Sequence, residues 1–163
     1  MTAANAALDK QGQQQRLMAH LFGYQATWII DIGLKSGLLR AIADGGGIDE
    51  KTLAQRLGFA EGYVAVWCRA AYAFELIEWN ALRGYALSAA MRDLLLDAKD
   101  PLFMAGRMQF YAALYEDFHA FPKHLRDGKI WPRSAHDCWL IEALKNLTRA
   151  DSRIMAVSSS ARI

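Results

Sequence analysis

The sequence predicts a mostly α domain carrying one small β-hairpin. Three observations lead there. Apolar residues recur at helical spacing over most of the chain. Glycines and N-capping residues separate those segments. One stretch behaves differently: Leu76-Ile77-Glu78-Trp79 alternates loosely, Asn80 to Gly84 turns, and Tyr85-Ala86-Leu87 returns.

Each helix has a local reason. Residues 13–22 form a short amphipathic helix with Leu17, Leu21 and Phe22 on one side. A second helix spans about 25–36. Its polar residues Thr27, Asp31 and Lys35 lie at i, i+4 and i+8, in the order that favours an Asp31–Lys35 ion pair. Trp28, Ile29, Ile30, Ile32 and Leu34 cover the rest of the circumference. Such a helix needs burial on more than one side, so Trp28, Ile29, Ile32 and Leu34 are dimer-interface candidates. Gly37 stops this helix in the left-handed conformation. Leu38 to Ala43 adds a further turn or two before Asp44-Gly45-Gly46-Gly47 breaks the chain. Asp49 caps a helix over 50–57 that Gly58 ends, and a helix over 61–75 follows. After the hairpin, Ser88 caps a helix over 89–96. Asp100-Pro101 opens a long one over 102–120, and Pro122 starts a short one ended by Gly128. A last amphipathic helix spans 137–149, with Leu140, Ile141, Leu144 and Leu147 inward. Residues 1–15 read as a frayed lead-in, 16–150 as the domain and 151–163 as a mobile tail.

Composition narrows the function. A chain of 163 residues with 53% hydrophobic and 22% charged residues can bury one good core. The net charge of +2, without a run of like charges, offers no arm for nucleic acid and no polybasic membrane patch. No apolar stretch approaches a transmembrane span, and residues 1–15 lack a signal peptide's apolar centre. Cys68 and Cys138 sit in apolar helical patterns, which reads as two buried free thiols of a reducing compartment, with a single disulfide as the alternative. The expected location is cytoplasmic.

The helix-turn-helix plus hairpin would suit a DNA-binding winged helix with residues 61–75 as recognition helix. That helix has Arg69 as its only basic residue, with Glu61 and Glu75 opposing phosphate. Tyr63, Trp67, Ala70 and Phe74 form one apolar stripe and Val64, Cys68 and Ala71 another, so both are expected to be buried. Gly45-Gly46-Gly47 follows a helix instead of a buried strand and lacks the G-x-G-x-x-G spacing, so it reads as an inter-helix turn. Residues 154–157 could form a short strand, but Ser158-Ser159-Ser160 follows where a glycine loop would be needed. On the helix after Pro101, Phe103, Phe110, Leu114 and Phe118 share one face, expected to be core. Met104, Met108, Tyr111 and Tyr115 share the adjoining face, expected to be an interface or a lid over an apolar substrate. His20, His119, His124 and His136 have no partner at metal-ligand spacing, and no nucleophile or carboxylate pair stands out. No catalytic, cofactor-binding or metal residue is assigned.

The order of these pieces resembles a known family. Asp31-Ile32-Gly33-Leu34-Lys35-Ser36-Gly37-Leu38-Leu39, Thr52-Leu53-Ala54-Gln55-Arg56-Leu57-Gly58, Phe74-Glu75-Leu76-Ile77-Glu78-Trp79 and Tyr85-Ala86-Leu87-Ser88 are similar to the N-terminal winged-helix dimerisation domain of small-molecule O-methyltransferases that use S-adenosylmethionine. The likeness extends through the segment from Tyr115 to Gly128, with its Leu-Arg-x-Gly ending, and covers about Leu17 to Gly128. It implies a winged-helix-like domain with extra dimerisation helices that interlock in a homodimer. It also implies a set of Met and aromatic residues facing an apolar small-molecule acceptor. In that family the methyl donor, its glycine loop and the general base belong to the following domain, and here no glycine occurs after Gly128. The expectation is therefore a dimerisation and substrate-lid region, not catalytic alone, with S-adenosylmethionine the cofactor of the full-length enzyme. The alternatives are a winged-helix transcription regulator and a stand-alone module for a hydrophobic small molecule.

Overall fold

The computed structural model describes residues 9–128 and 144–145. The predicted helix over 137–149 lies outside them except for Leu144 and Lys145, which are helical; Cys138 and residues 154–157 also lie outside. The architecture is mostly α with one small antiparallel hairpin, as the sequence predicts.

The first helix, α1 (Lys10–Lys35), is continuous where two helices were expected. Asp9 caps it by accepting from the Gly12 amide at 2.8 Å. It begins inside the stretch read as a lead-in. Gly23 lies within it, and a mid-helix glycine lowers helix propensity without interrupting the hydrogen-bond ladder. Ser36 and the left-handed Gly37 (φ 78°) close α1 and open α2 (Leu38–Gly45).

The glycine run is more than a loose turn. Gly46 ends α2 in the left-handed conformation, and Gly47 (φ 124°) passes beneath the Arg83 carbonyl, where a Cβ would lie 2.7 Å from that oxygen. Asp49 then caps α3 (Glu50–Leu57), accepting from the Thr52 amide at 2.9 Å and the Thr52 hydroxyl at 2.7 Å. Those hydrogen bonds hold the Asp49 carboxyl below its ordinary value. Gly58 leads into α4 (Glu61–Ala73).

The hairpin pairs β1 (Glu78–Asn80) with β2 (Gly84–Ala86), Trp79 opposite Tyr85. Ile48 bridges the other edge of β2 through two backbone hydrogen bonds to Tyr85, of 2.9 and 2.8 Å. Gly84 (φ 80°) permits this, because a Cβ there would sit 2.5 Å from the Ile48 carbonyl oxygen. Ser88 caps α5 (Ala89–Leu96) as predicted, accepting from the Met91 amide.

The long helix over 102–120 does not form. Asp97 accepts from the Lys99 amide and Asp100 from the Leu102 amide, at 2.8 and 2.7 Å. These side-chain turns compete with helix initiation. The Met104 amide is tied to the Leu94 carbonyl at 2.7 Å, so α6 starts only at Ala105 (Ala105–Ala113). A break at Leu114 separates α6 from α7 (Tyr115–Asp127), and Pro122 lies inside α7 instead of starting a helix.

The core gathers α2, α3, α4 and the hairpin around Leu39, Ile42, Leu53, Cys68 and Ile77. Trp67 closes it against α1, its indole N–H donating to the Ile29 carbonyl at 3.0 Å. The end of α2 is bound from two sides, Arg56 donating to the Ala41 carbonyl and Arg92 to the Ala43 carbonyl.

One burial expectation is corrected. Tyr63 is 82% exposed, because α4 buries only the side carrying Val64, Trp67, Cys68 and Ala71. In α1 one member of the polar stripe is buried. Asp31 is 1% exposed while Ile32 is 46% exposed. The predicted ion pair does form, Lys35 Nζ to Asp31 Oδ2 at 2.8 Å, so the buried carboxylate is paired.

Candidate functional site: an aromatic pocket on α1, α6 and α7

Helical repetition builds the site. On α1, Tyr24, Thr27 and Trp28 fall on one face. Across from it, Tyr111 and Ala112 come from the end of α6, and Tyr115, Phe118 and His119 from the first turn of α7. The break at Leu114 lets the two aromatic sets approach α1 together. They enclose an open cavity of about 530 Å³, within the size range of small-molecule sites.

The rings contact one another in a chain. Tyr24 and Trp28 meet edge to face, centroids 6.3 Å apart, and Trp28 and Tyr115 likewise at 6.0 Å. Tyr115 stacks on His119 at 5.8 Å with an interplanar angle of 20°. The Thr27 hydroxyl donates to the Gly23 carbonyl at 2.9 Å. No Lys, Arg, Asp or Glu is among the described residues that line the cavity. Among the described residues the chemistry on offer is shape, ring faces and the polar edges of Tyr, Thr and His side chains.

The residues singled out from sequence divide. Tyr111 and Tyr115 line the cavity. Met104 precedes α6 outside it, and Met108 packs against the core. Trp28 lines the cavity, Ile29 and Leu34 pack on the core, and Ile32 stays exposed. Phe118 is not core: it is 65% exposed and lines the cavity. Sequence reading missed Tyr24 and His119. The signal was available as the aromatic i, i+4 pairs Tyr24–Trp28 and Tyr115–His119.

Other chemistries find little footing. Among the described residues no group of three or more His, Cys, Asp or Glu could hold a metal ion. No helix there is long and apolar enough to cross a membrane. Burial pushes the Cys68 thiol up to about 12, with Glu50 adding to the effect, so it is an inert core group. The outward face of α4 shows Tyr63, Val66 and Tyr72 beside Arg69, a poor match for phosphates.

Sequence comparison finds no matching family profile and no matching curated protein. Structure comparison does find relatives in fold. An O-methyltransferase family protein from Burkholderia thailandensis matches 93% of this chain with a TM-score of 0.69 at 17% identity. The S-adenosylmethionine-dependent methyltransferase SibL matches 85% with a TM-score of 0.61 at 16% identity. The pyocyanin biosynthetic protein PhzM matches 88% with a TM-score of 0.56 at 19% identity. The chain spans less than half of each: 45%, 44% and 46% of their lengths. It therefore shares the fold of a part of such proteins.

Proposed function

We propose that this chain is the dimerisation and substrate-lid region of an S-adenosylmethionine-dependent methyltransferase, and that it does not catalyse by itself. The observation that carries the reading is the fold match to methyltransferases over nearly the whole of this chain and under half of theirs. In this reading residues 16–150 are the winged-helix-like unit, α2 to α4 and the hairpin forming the winged part. S-adenosylmethionine belongs to the remainder of the enzyme.

The surface supports a second copy as partner. Leu17, Leu21 and Phe22 on the first turns of α1 are 68%, 47% and 48% exposed, and Phe121 and Leu125 on α7 are 57% and 72% exposed. A helix end with so little of its own core beneath it is marginal in water. A partner covering it, with the exposed Ile32 behind it, would bury an obligate-scale area of about 2,000 Å² or more. In this reading Tyr111 and Tyr115 form the lid over an apolar acceptor. A buried thiol at Cys68 suits a reducing cytoplasm.

Sedimentation equilibrium at low micromolar concentration tests this reading: a dimer is expected, and a clean monomer refutes the interface. Calorimetry with S-adenosylmethionine tests the rest. A saturable site tighter than about 100 µM, near 5.5 kcal/mol, would show that the chain holds the cofactor itself. A transcription regulator would instead footprint DNA at nanomolar protein in physiological salt; the single arginine on α4 argues against it.

A further inference from the structure

We propose that the α1–α6–α7 pocket selects an organic cation, a quaternary or protonated tertiary ammonium carrying an apolar group, over a neutral molecule of the same shape. The proposal rests on the preceding reading only in taking the pocket as a ligand site, and it adds the class of ligand.

The first argument is ring geometry. A flat neutral ligand is held best in a slot between parallel rings. The one near-parallel pair on this wall, Tyr115 and His119 at 20°, is already stacked on itself. The remaining rings meet at steep angles, Tyr24 to Trp28 at 75° and Trp28 to Tyr115 at 77°. Rings so placed form corners in which faces and edges converge, a shape that receives a compact alkylated head. The negative face of an aromatic ring attracts a cation within about 6 Å of its centroid, and indole does so most strongly. Trp28 stands at the centre of the set.

The second argument is charge. The described lining holds no Lys or Arg to repel a cation. On α1, Asp31 continues the stripe of Tyr24, Thr27 and Trp28 one turn further along the helix. It is 1% exposed. Its Oδ2 is held by Lys35 at 2.8 Å, whereas its Oδ1 has no hydrogen-bond partner. Asp31 thus keeps one buried carboxylate oxygen without a donor, one helical turn from Trp28.

The test compares benzyltrimethylammonium with neopentylbenzene, its neutral carbon isostere, by titration into the 163-residue chain followed by NMR. The cation is expected to bind at least tenfold more tightly. Trp28→Leu should lower cation affinity about tenfold while leaving the isostere within threefold, and Asp31→Asn should lower only the cation's. Should Trp28→Leu fail to fold, uniform fluorination of the tryptophans keeps ring shape while draining the ring faces, and cation affinity should fall with each added fluorine. Equal or tighter binding of the neutral isostere overturns the proposal, as does no binding of either probe. Sedimentation of the same samples separates the two readings. A monomer that keeps the cation preference refutes the dimer alone; a dimer without that preference refutes the cation site alone.

Discussion

Replacing Gly33 by alanine probes the contact that fastens α1 to the core. On propensity alone the change is favourable: a mid-helix glycine costs about 1 kcal/mol relative to alanine. The packing reverses the sign. A Cβ at Gly33 would sit 2.5 Å from Trp67 Cζ2 and 2.9 Å from Leu39 Cγ. Neither neighbour can move freely. Trp67 is tied to the Ile29 carbonyl at 3.0 Å, and Leu39 is 1% exposed. Overpacking of this kind costs about 1–3 kcal/mol, and displacing the indole forfeits about 1 kcal/mol of hydrogen bonding. With the propensity gain subtracted, Gly33→Ala should lose about 1–3 kcal/mol. Gly23 lies in the same helix with nothing within 4 Å of a Cβ, so Gly23→Ala should gain about 0.5–1 kcal/mol. Urea denaturation followed by circular dichroism, at fixed protein concentration, reads both as shifts of midpoint at constant slope. A Gly33→Ala variant as stable as the parent would refute the claim that α1 closes on Trp67 without room for a methyl group.

Trp67→Ala should cost about 3–5 kcal/mol as a core truncation, whereas Tyr63→Ser, at an 82% exposed position, should stay within about 0.5 kcal/mol; comparable losses from both would mean that α4 is buried on its outer side. Cys68 should resist iodoacetamide in the folded chain at mildly alkaline pH and react once urea unfolds it, because its thiol is raised to about 12; rapid native labelling would contradict that burial. Asp49 titrates below its ordinary 3.8 in the folded chain, so its contribution is full above that value and is lost as pH falls through the lowered one. Acid unfolding of Asp49→Asn should therefore show a shallower stability loss in that window, and an unchanged pH profile would remove the cap's electrostatic role.

The sequence determined what depends on a few neighbouring residues. Asp49 and Ser88 cap where predicted, Gly37 and Gly58 terminate where predicted, and the hairpin turns between Asn80 and Gly84, since each is settled within one turn of chain. The Asp31–Lys35 pair was legible for the same reason. Tertiary structure decided which face each helix covers. Spacing marks Tyr63 and Trp67 as one stripe, but the core meets only the Trp67 side. Spacing puts Thr27 and Asp31 on one polar stripe, yet Asp31 is 1% exposed. The pocket is the clearest case. Tyr24 and Trp28 are separated from Tyr111, Tyr115 and His119 by more than 80 residues of sequence. The aspartate turns at Asp97 and Asp100, the tie from Met104 to Leu94 and the break at Leu114 bring them together. Helical period ranks the faces of one element, but only the packing of several elements chooses among faces of similar hydrophobicity.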